Sequence, residues 1–147
     1  MCFWPFKRSA PILPFAPSST EKIDRTELEK ILRPVFSAGS IYLSDIDNYY
    51  LCNYDDIALF LAQDQTNKAE YVAQKHDCDD FAYRLMGQFS IPGWSALAFG
   101  LFWTTSHAMN CFVNEDREVL FIEPQSDEIT SGLSPAKYGH GFRFVIM

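Results

Sequence analysis

The sequence contains no CxxC pair, and its four cysteines, Cys2, Cys52, Cys78 and Cys111, are irregularly spaced. That excludes a disulfide framework and a cysteine zinc site, and it predicts free thiols in a reducing compartment. No stretch approaches the roughly 20 apolar residues a membrane helix needs. The first eight residues place aromatic groups before the basic pair Lys7-Arg8, the reverse of a secretory signal. The expectation is a cytoplasmic chain without a membrane span. Positive charge is scarce: 12 Lys and Arg stand against 19 Asp and Glu, giving a formal net charge of −7. Without clustered basic residues, nucleic acid is excluded as the main partner. There is no internal repeat and no EF-hand loop.

What is present fits one domain. At 147 residues, with 48% hydrophobic and 16% aromatic content, the chain can bury one sizeable core. Residues 1–20 carry Pro5, Pro11, Pro14 and Pro17, which exclude a helix and predict an extended arm. The apolar groups of residues 1–18 call for a docking surface, on the chain's own domain or on a protein partner. Residues 21–147 read as a single α+β domain, with N-terminal helices packed on an antiparallel sheet. The first helix is expected from Asp24 to Leu32, with Thr26 and Glu29 at capping-box spacing and Pro34 beyond its end. Ser40 to Leu43 reads as a short strand, Asp55 to Leu61 as a helix and Thr66 to Val72 as a helical turn. A further helix opens at Asp77 or Cys78 and runs to Phe89, with Phe81, Leu85 and Phe89 on its buried face. Strands follow at Trp94–Trp103, Ser106–Asn114, Glu118–Glu123 and Phe142–Met147.

The chemistry-bearing residues are a cysteine opening a helix, then a histidine and a carboxylate on successive strands. At the start of a helix, free N–H groups and the macrodipole favour a thiolate at Cys78 and can hold an oxyanion. His107 shares a strand face with Met109, Cys111 and Val113, and Glu123 shares one with Val119 and Phe121. If the two strands form a hairpin, direct pairing of His107 with Glu123 places Val113 opposite Arg117. A shift by two pairs His107 with Gln125 and leaves Glu123 diagonal on the same face. A shift by one sends Glu123 to the other side, so the turn must be odd in length.

Asp77, Asp79 and Asp80 oppose a thiolate, since negative neighbours raise a thiol pKa. Two readings of these acids stay open: they cap and satisfy the helix dipole, or with Gln125, Asp127 and Glu128 they bind a hard divalent cation. Gln74, four residues before Cys78, is a weak oxyanion candidate against a solvated loop residue.

Three segments, Asp77-Cys78-Asp79-Asp80-Phe81-Ala82, Ser106-His107-Ala108-Met109-Asn110 and Ile122-Glu123-Pro124-Gln125-Ser126-Asp127-Glu128, resemble the C-terminal papain-like protease domain of the Marasmius oreades agglutinin and related bacterial and phage proteins. The resemblance covers about Asp45 to Ile129. It implies a papain-like or transglutaminase-like fold, a catalytic triad on Cys78, His107 and Glu123, and activation by calcium or manganese held by Asp79, Asp80, Gln125 and Asp127. The fungal member also carries a sugar-binding β-trefoil, for which this chain has no room, so lectin activity is not carried over. Two functions follow. One is a cysteine peptidase or acyl-transfer enzyme acting on a peptide or protein substrate. The other is a catalytically silent papain-like binding or assembly module of a phage or mobile element.

Overall fold

The computed structural model describes residues 16–47 and 49–147; the arm assigned to residues 1–20 lies, up to residue 15, outside the described residues, as does Cys2. Its described end docks on the domain itself. Ser18 donates to the Asp56 carboxylate from its amide and, at 2.8 Å, from its hydroxyl.

Helix α1 (Arg25–Leu32) is capped by Asp24 and Glu27 rather than by Thr26 and Glu29. Asp24 accepts from the Glu27 amide at 2.8 Å, because its backbone is extended and its carboxylate is free to turn back on the first turn. Helix α2 (Tyr54–Gln63) begins one residue before the acids, with Asn53 accepting from the Asp55 and Asp56 amides. A short 3-10 turn spans Thr66–Lys68, shorter than the helical turn expected there. Helix α3 (Cys78–Phe89) starts at the cysteine and buries Phe81, Ala82, Leu85 and Phe89. Helix α4 (Pro135–Tyr138) is a single turn.

The expected antiparallel sheet is mixed. Strands β2 (Ser40–Tyr42), β4 (Phe99–Thr104), β5 (Ala108–Val113), β6 (Val119–Glu123), β7 (Glu128–Thr130) and β8 (Phe142–Ile146) lie in the order β2-β8-β4-β5-β6-β7. Every pairing is antiparallel except β2 with β8, which is parallel. A separate ribbon joins β1 (Lys22–Ile23) to β3 (Tyr49–Tyr50). Strand β4 is shorter than Trp94–Trp103: the chain turns after Pro92 and Gly93, and only from Phe99 does it pair in the sheet.

One sheet face, with Met109, Cys111, Val113, Val119 and Phe121, packs on α1 and Phe36. The other, with Phe99, Phe112, Leu120 and Ile122, packs on α2 and α3. A ladder of rings carries the second layer: Phe89 stacks on Phe60 at 3.8 Å and on Phe99 at 3.7 Å. Helix α3 is further pinned by Asn110, fully buried on β5, whose amide donates to the carbonyls of Ala82 and Gly100. The helix tip bearing Cys78 is thereby held at the end of the sheet where β4 turns into β5.

Candidate functional site at the tip of the third helix

The β5–β6 hairpin sets the site. Val113 pairs with Val119 and Asn110 with Ile122, a register that places Gln125 opposite His107 and Glu123 diagonal to it. The loop of three residues, Glu115, Asp116 and Arg117, ends with Arg117 in the left-handed region at φ 63°. His107 therefore meets Glu123 on one face: imidazole Nε2 donates to Glu123 Oε2 at 2.7 Å. The other carboxylate oxygen accepts from the Gln125 amide at 3.3 Å, and Glu123 is only 7% exposed.

A tight β4–β5 turn fixes the ring from the other side. The Thr104 amide donates to the His107 carbonyl at 2.8 Å, and the Thr104 hydroxyl accepts from the His107 amide at 3.0 Å. Tyr138 of α4 stacks on the imidazole with centroids 5.5 Å apart. Gly139, at φ 84°, lies so close to this turn that a Cβ there would come within 2.3 Å of Ser106 Oγ.

Cys78 reaches the same region from the tip of α3. It packs with Ala82, Leu101 and Ala108 and lines one cleft together with His107. Burial pushes the Cys78 thiol up; a hydrogen bond from the Ala108 backbone pulls it partly back, and the Asp77 and Asp79 carboxylates push it up again. The thiol form is favoured, not the thiolate that nucleophilic chemistry requires.

Around these groups lies a cleft of about 210 Å³ lined by Cys78, Asp79, Trp103 to Ala108 and Arg143. Two of its members were not singled out by the sequence. Trp103 of β4 stacks on Phe144 and has a buried indole N–H without a hydrogen-bond partner. Arg143 lies over the Trp103 ring at 5.6 Å. It is the extra residue where Trp103 pairs with Phe144 but Thr104 pairs with Phe142. Such a bulge redirects a side chain, and its only sequence trace is a lone basic residue between two phenylalanines.

The acidic groups divide into two places. At the helix tip, Asp77, Cys78 and Asp79 bring one ligand atom each within 4.8 Å of one another, the only such trio of acidic, thiol and imidazole groups among the described residues. The interaction between Asp77 and Asp79 raises the Asp79 carboxyl and lowers that of Asp77. Asp80 is turned back onto the Asp77 amide at 3.1 Å. Asp127 is elsewhere, bonded to Asn67 and facing Asp64. Asp79, Asp80 and Asp127, expected with Gln125 to hold a cation, do not bring their carboxylate oxygens together as a close trio in this structure. Gln74 has a positive φ of 60° and donates its amide to Asp77; it is exposed.

No protein-family model matches the sequence, and no curated protein matches it. Solved structures do. The chain shares its fold with lectin structures. The PSL1a–E64 complex is similar with a TM-score of 0.72 and 23% identity, over 88% of this chain and 51% of that one. The Polyporus squamosus lectin bound to the human-type influenza-binding epitope Neu5Acα2-6Galβ1-4GlcNAc is similar with a TM-score of 0.67 and 23% identity, over 86% and 49%. The chain spans about half the length of each. This overturns the expectation of a cysteine peptidase or other thiol hydrolase. The structures it resembles are lectins, and the Cys78 thiol raised by burial and by the flanking carboxylates gives the physical reason. No helix among the described residues is long and apolar enough to cross a membrane.

Proposed function

We propose that this chain is a binding module on a papain-like α+β scaffold, and that its cleft at the α3 tip takes a carbohydrate. The observation that carries this reading is the composition of the cleft. It combines an indole ring, a guanidinium at a β-bulge, an acid and three hydroxyl side chains. Sugars present apolar ring faces to aromatic groups and hydroxyls to planar polar groups, so this set offers both kinds of contact. The lectin identity of the similar structures supports it, with the half-length overlap keeping their glycan a starting probe rather than a known ligand.

In this reading the three residues expected to form a triad have binding roles. Glu123 orients His107, which presents its remaining ring nitrogen to the cleft, and Cys78 contributes a small neutral wall. The papain-like description of the scaffold is supported by the cysteine-bearing helix abutting the strands of His107 and Glu123. Arg143 supplies the one cation among the cleft residues and suits a sialic acid carboxylate.

The test is saturation-transfer NMR and calorimetry on the full chain with Neu5Acα2-6Galβ1-4GlcNAc and with neutral Galβ1-4GlcNAc. Both should bind, the sialylated sugar more tightly. Arg143→Ala should weaken the sialylated sugar about fivefold, as expected of an exposed ion pair worth about 1 kcal/mol, and leave the neutral one unchanged. Absence of transfer to either sugar at millimolar concentration would end the carbohydrate reading.

A further inference from the structure

We propose that a pocket at the C-terminal end of α3 receives the chain's own first residues, with the Phe6 ring in the pocket and Lys7-Arg8 against Asp45 and Asp47. The pocket lies at the opposite end of α3 from the cleft, so the inference does not depend on what the cleft takes.

The pocket has a volume of about 140 Å³. Its floor is built from Phe89, Trp94, Leu97 and Phe99, all buried. Its exposed rim carries Ser44 and Asp45 from the segment after β2, and Ser90 and Ser95 from the segment after α3. An apolar cavity of about 150 Å³ holds one benzene ring. The occupant that fits is therefore a single aromatic side chain, not a strand or a helix. Ile46 and Ile91, next in sequence to the rim residues Asp45 and Ser90, are exposed and add apolar surface for the chain on either side of that ring.

The place where the described chain begins points to the occupant. Ser18 is tied to Asp56 at the start of α2 by its amide and its hydroxyl. A Cβ built on Gly93 would stand 3.8 Å from the Pro17 ring, so the arm arrives on the turn that forms one wall of the pocket. That turn is held by the Trp94 and Ser95 amides, which donate to the Ile91 carbonyl at 3.0 and 2.9 Å. From Pro17 to Phe6 an extended chain spans up to roughly 35 Å, about twice the length of α3. That reach covers the whole mouth.

Charge selects among the rings of residues 1–15, which are Phe3, Trp4, Phe6 and Phe15. Asp45 is the one charged side chain lining the pocket. Neither it nor Asp47 has an ion pair among the described residues. Arg25 holds this loop through the Leu43 and Asp45 carbonyls rather than through a carboxylate. The basic residues of the segment are Lys7 and Arg8, and Phe6 directly precedes them. Seating the Phe6 ring brings both cations to a rim that has acid and no cation of its own.

The experiment places a nitroxide on Cys2 in the full chain carrying Cys78→Ser; Cys52 and Cys111 are shielded by burial. Amide signals are compared by NMR with the label oxidised and reduced. Loss of signal is expected around Ser44, Asp45, Ser90 and Ser95, with the cleft amides of Thr105 to Ala108 retained. Phe6→Ala and Asp45→Lys should each restore the lost signals. Both should leave the other signals as in the parent, since Asp45 is exposed outside any helix or strand. Loss centred on the cleft, absence of localised loss, or loss that persists in either variant would overturn the proposal. Loss in unlabelled chains mixed with labelled ones would overturn it in favour of a second copy.

Discussion

At Cys78 packing and local charge act in the same direction. Half-burial against Ala82, Leu101 and Ala108 disfavours the thiolate, and Asp77 and Asp79 disfavour it again, while only the helix end and the Ala108 backbone oppose them. Alkylation by iodoacetamide should therefore climb steadily with pH up to and past the ordinary thiol range, without levelling off near neutrality. A rate plateau below pH 7, measured by mass spectrometry on intact protein, would show that the thiol is activated after all. Cys52 and Cys111 are fully buried and their thiols are pushed well up by that burial, so both should stay unlabelled until the protein unfolds. Asn110 makes a second residue-scale case. Its amide is shared between the Ala82 and Gly100 carbonyls inside the core, and Asn110→Ala leaves a small void and lost hydrogen bonds. A loss of about 2 kcal/mol is expected in urea unfolding.

For the elements, the decisive contact is between β4 and β8. A Cβ on Gly100 would lie 1.9 Å from the Ile146 carbonyl oxygen, an atom of backbone that cannot rotate aside. Gly100→Ala should cost about 3 kcal/mol or more, because the two strands must part to admit it. Denaturant unfolding would measure the loss. Much of this layer was legible beforehand. The helix over Cys78–Phe89 was readable because Phe81, Leu85 and Phe89 repeat at helical spacing. The face shared by His107 and Glu123 was readable because a strand alternates with period two, and the observed hairpin is the shift by two foreseen from an odd turn. The cap of α1 was misassigned because Thr26-x-x-Glu29 and Asp24-x-x-Glu27 have the same spacing, and only the extended backbone at Asp24 separates them. The first stretch of the expected Trp94 strand failed because Trp94 is buried in a turn and Leu97 in an isolated bridge to Tyr50, where burial mimics a strand pattern. The cleft itself was half hidden: parity along one strand says nothing of a bulge on another, so Arg143 and Trp103 could not be joined from local pattern.

On the scale of the molecule, β8 holds the sheet together, pairing β4 on one side and β2 on the other. Val145 is fully buried and Met147 is 4% exposed. Removing residues 142–147 takes away both pairings and Arg143 with them. The truncated chain should show no cooperative thermal transition by circular dichroism, and a sharp transition near the parent's would mean that β2 and β8 are dispensable. The parallel pairing of β2 with β8 has a kinetic corollary. Ser40 waits for Phe144, a partner about a hundred residues downstream, before its strand can be bonded. Until that late arrival, the β4 edge that β8 will cover stays open to any other extended segment in the surroundings. Slow refolding, with yield falling as protein concentration rises, is the expected signature.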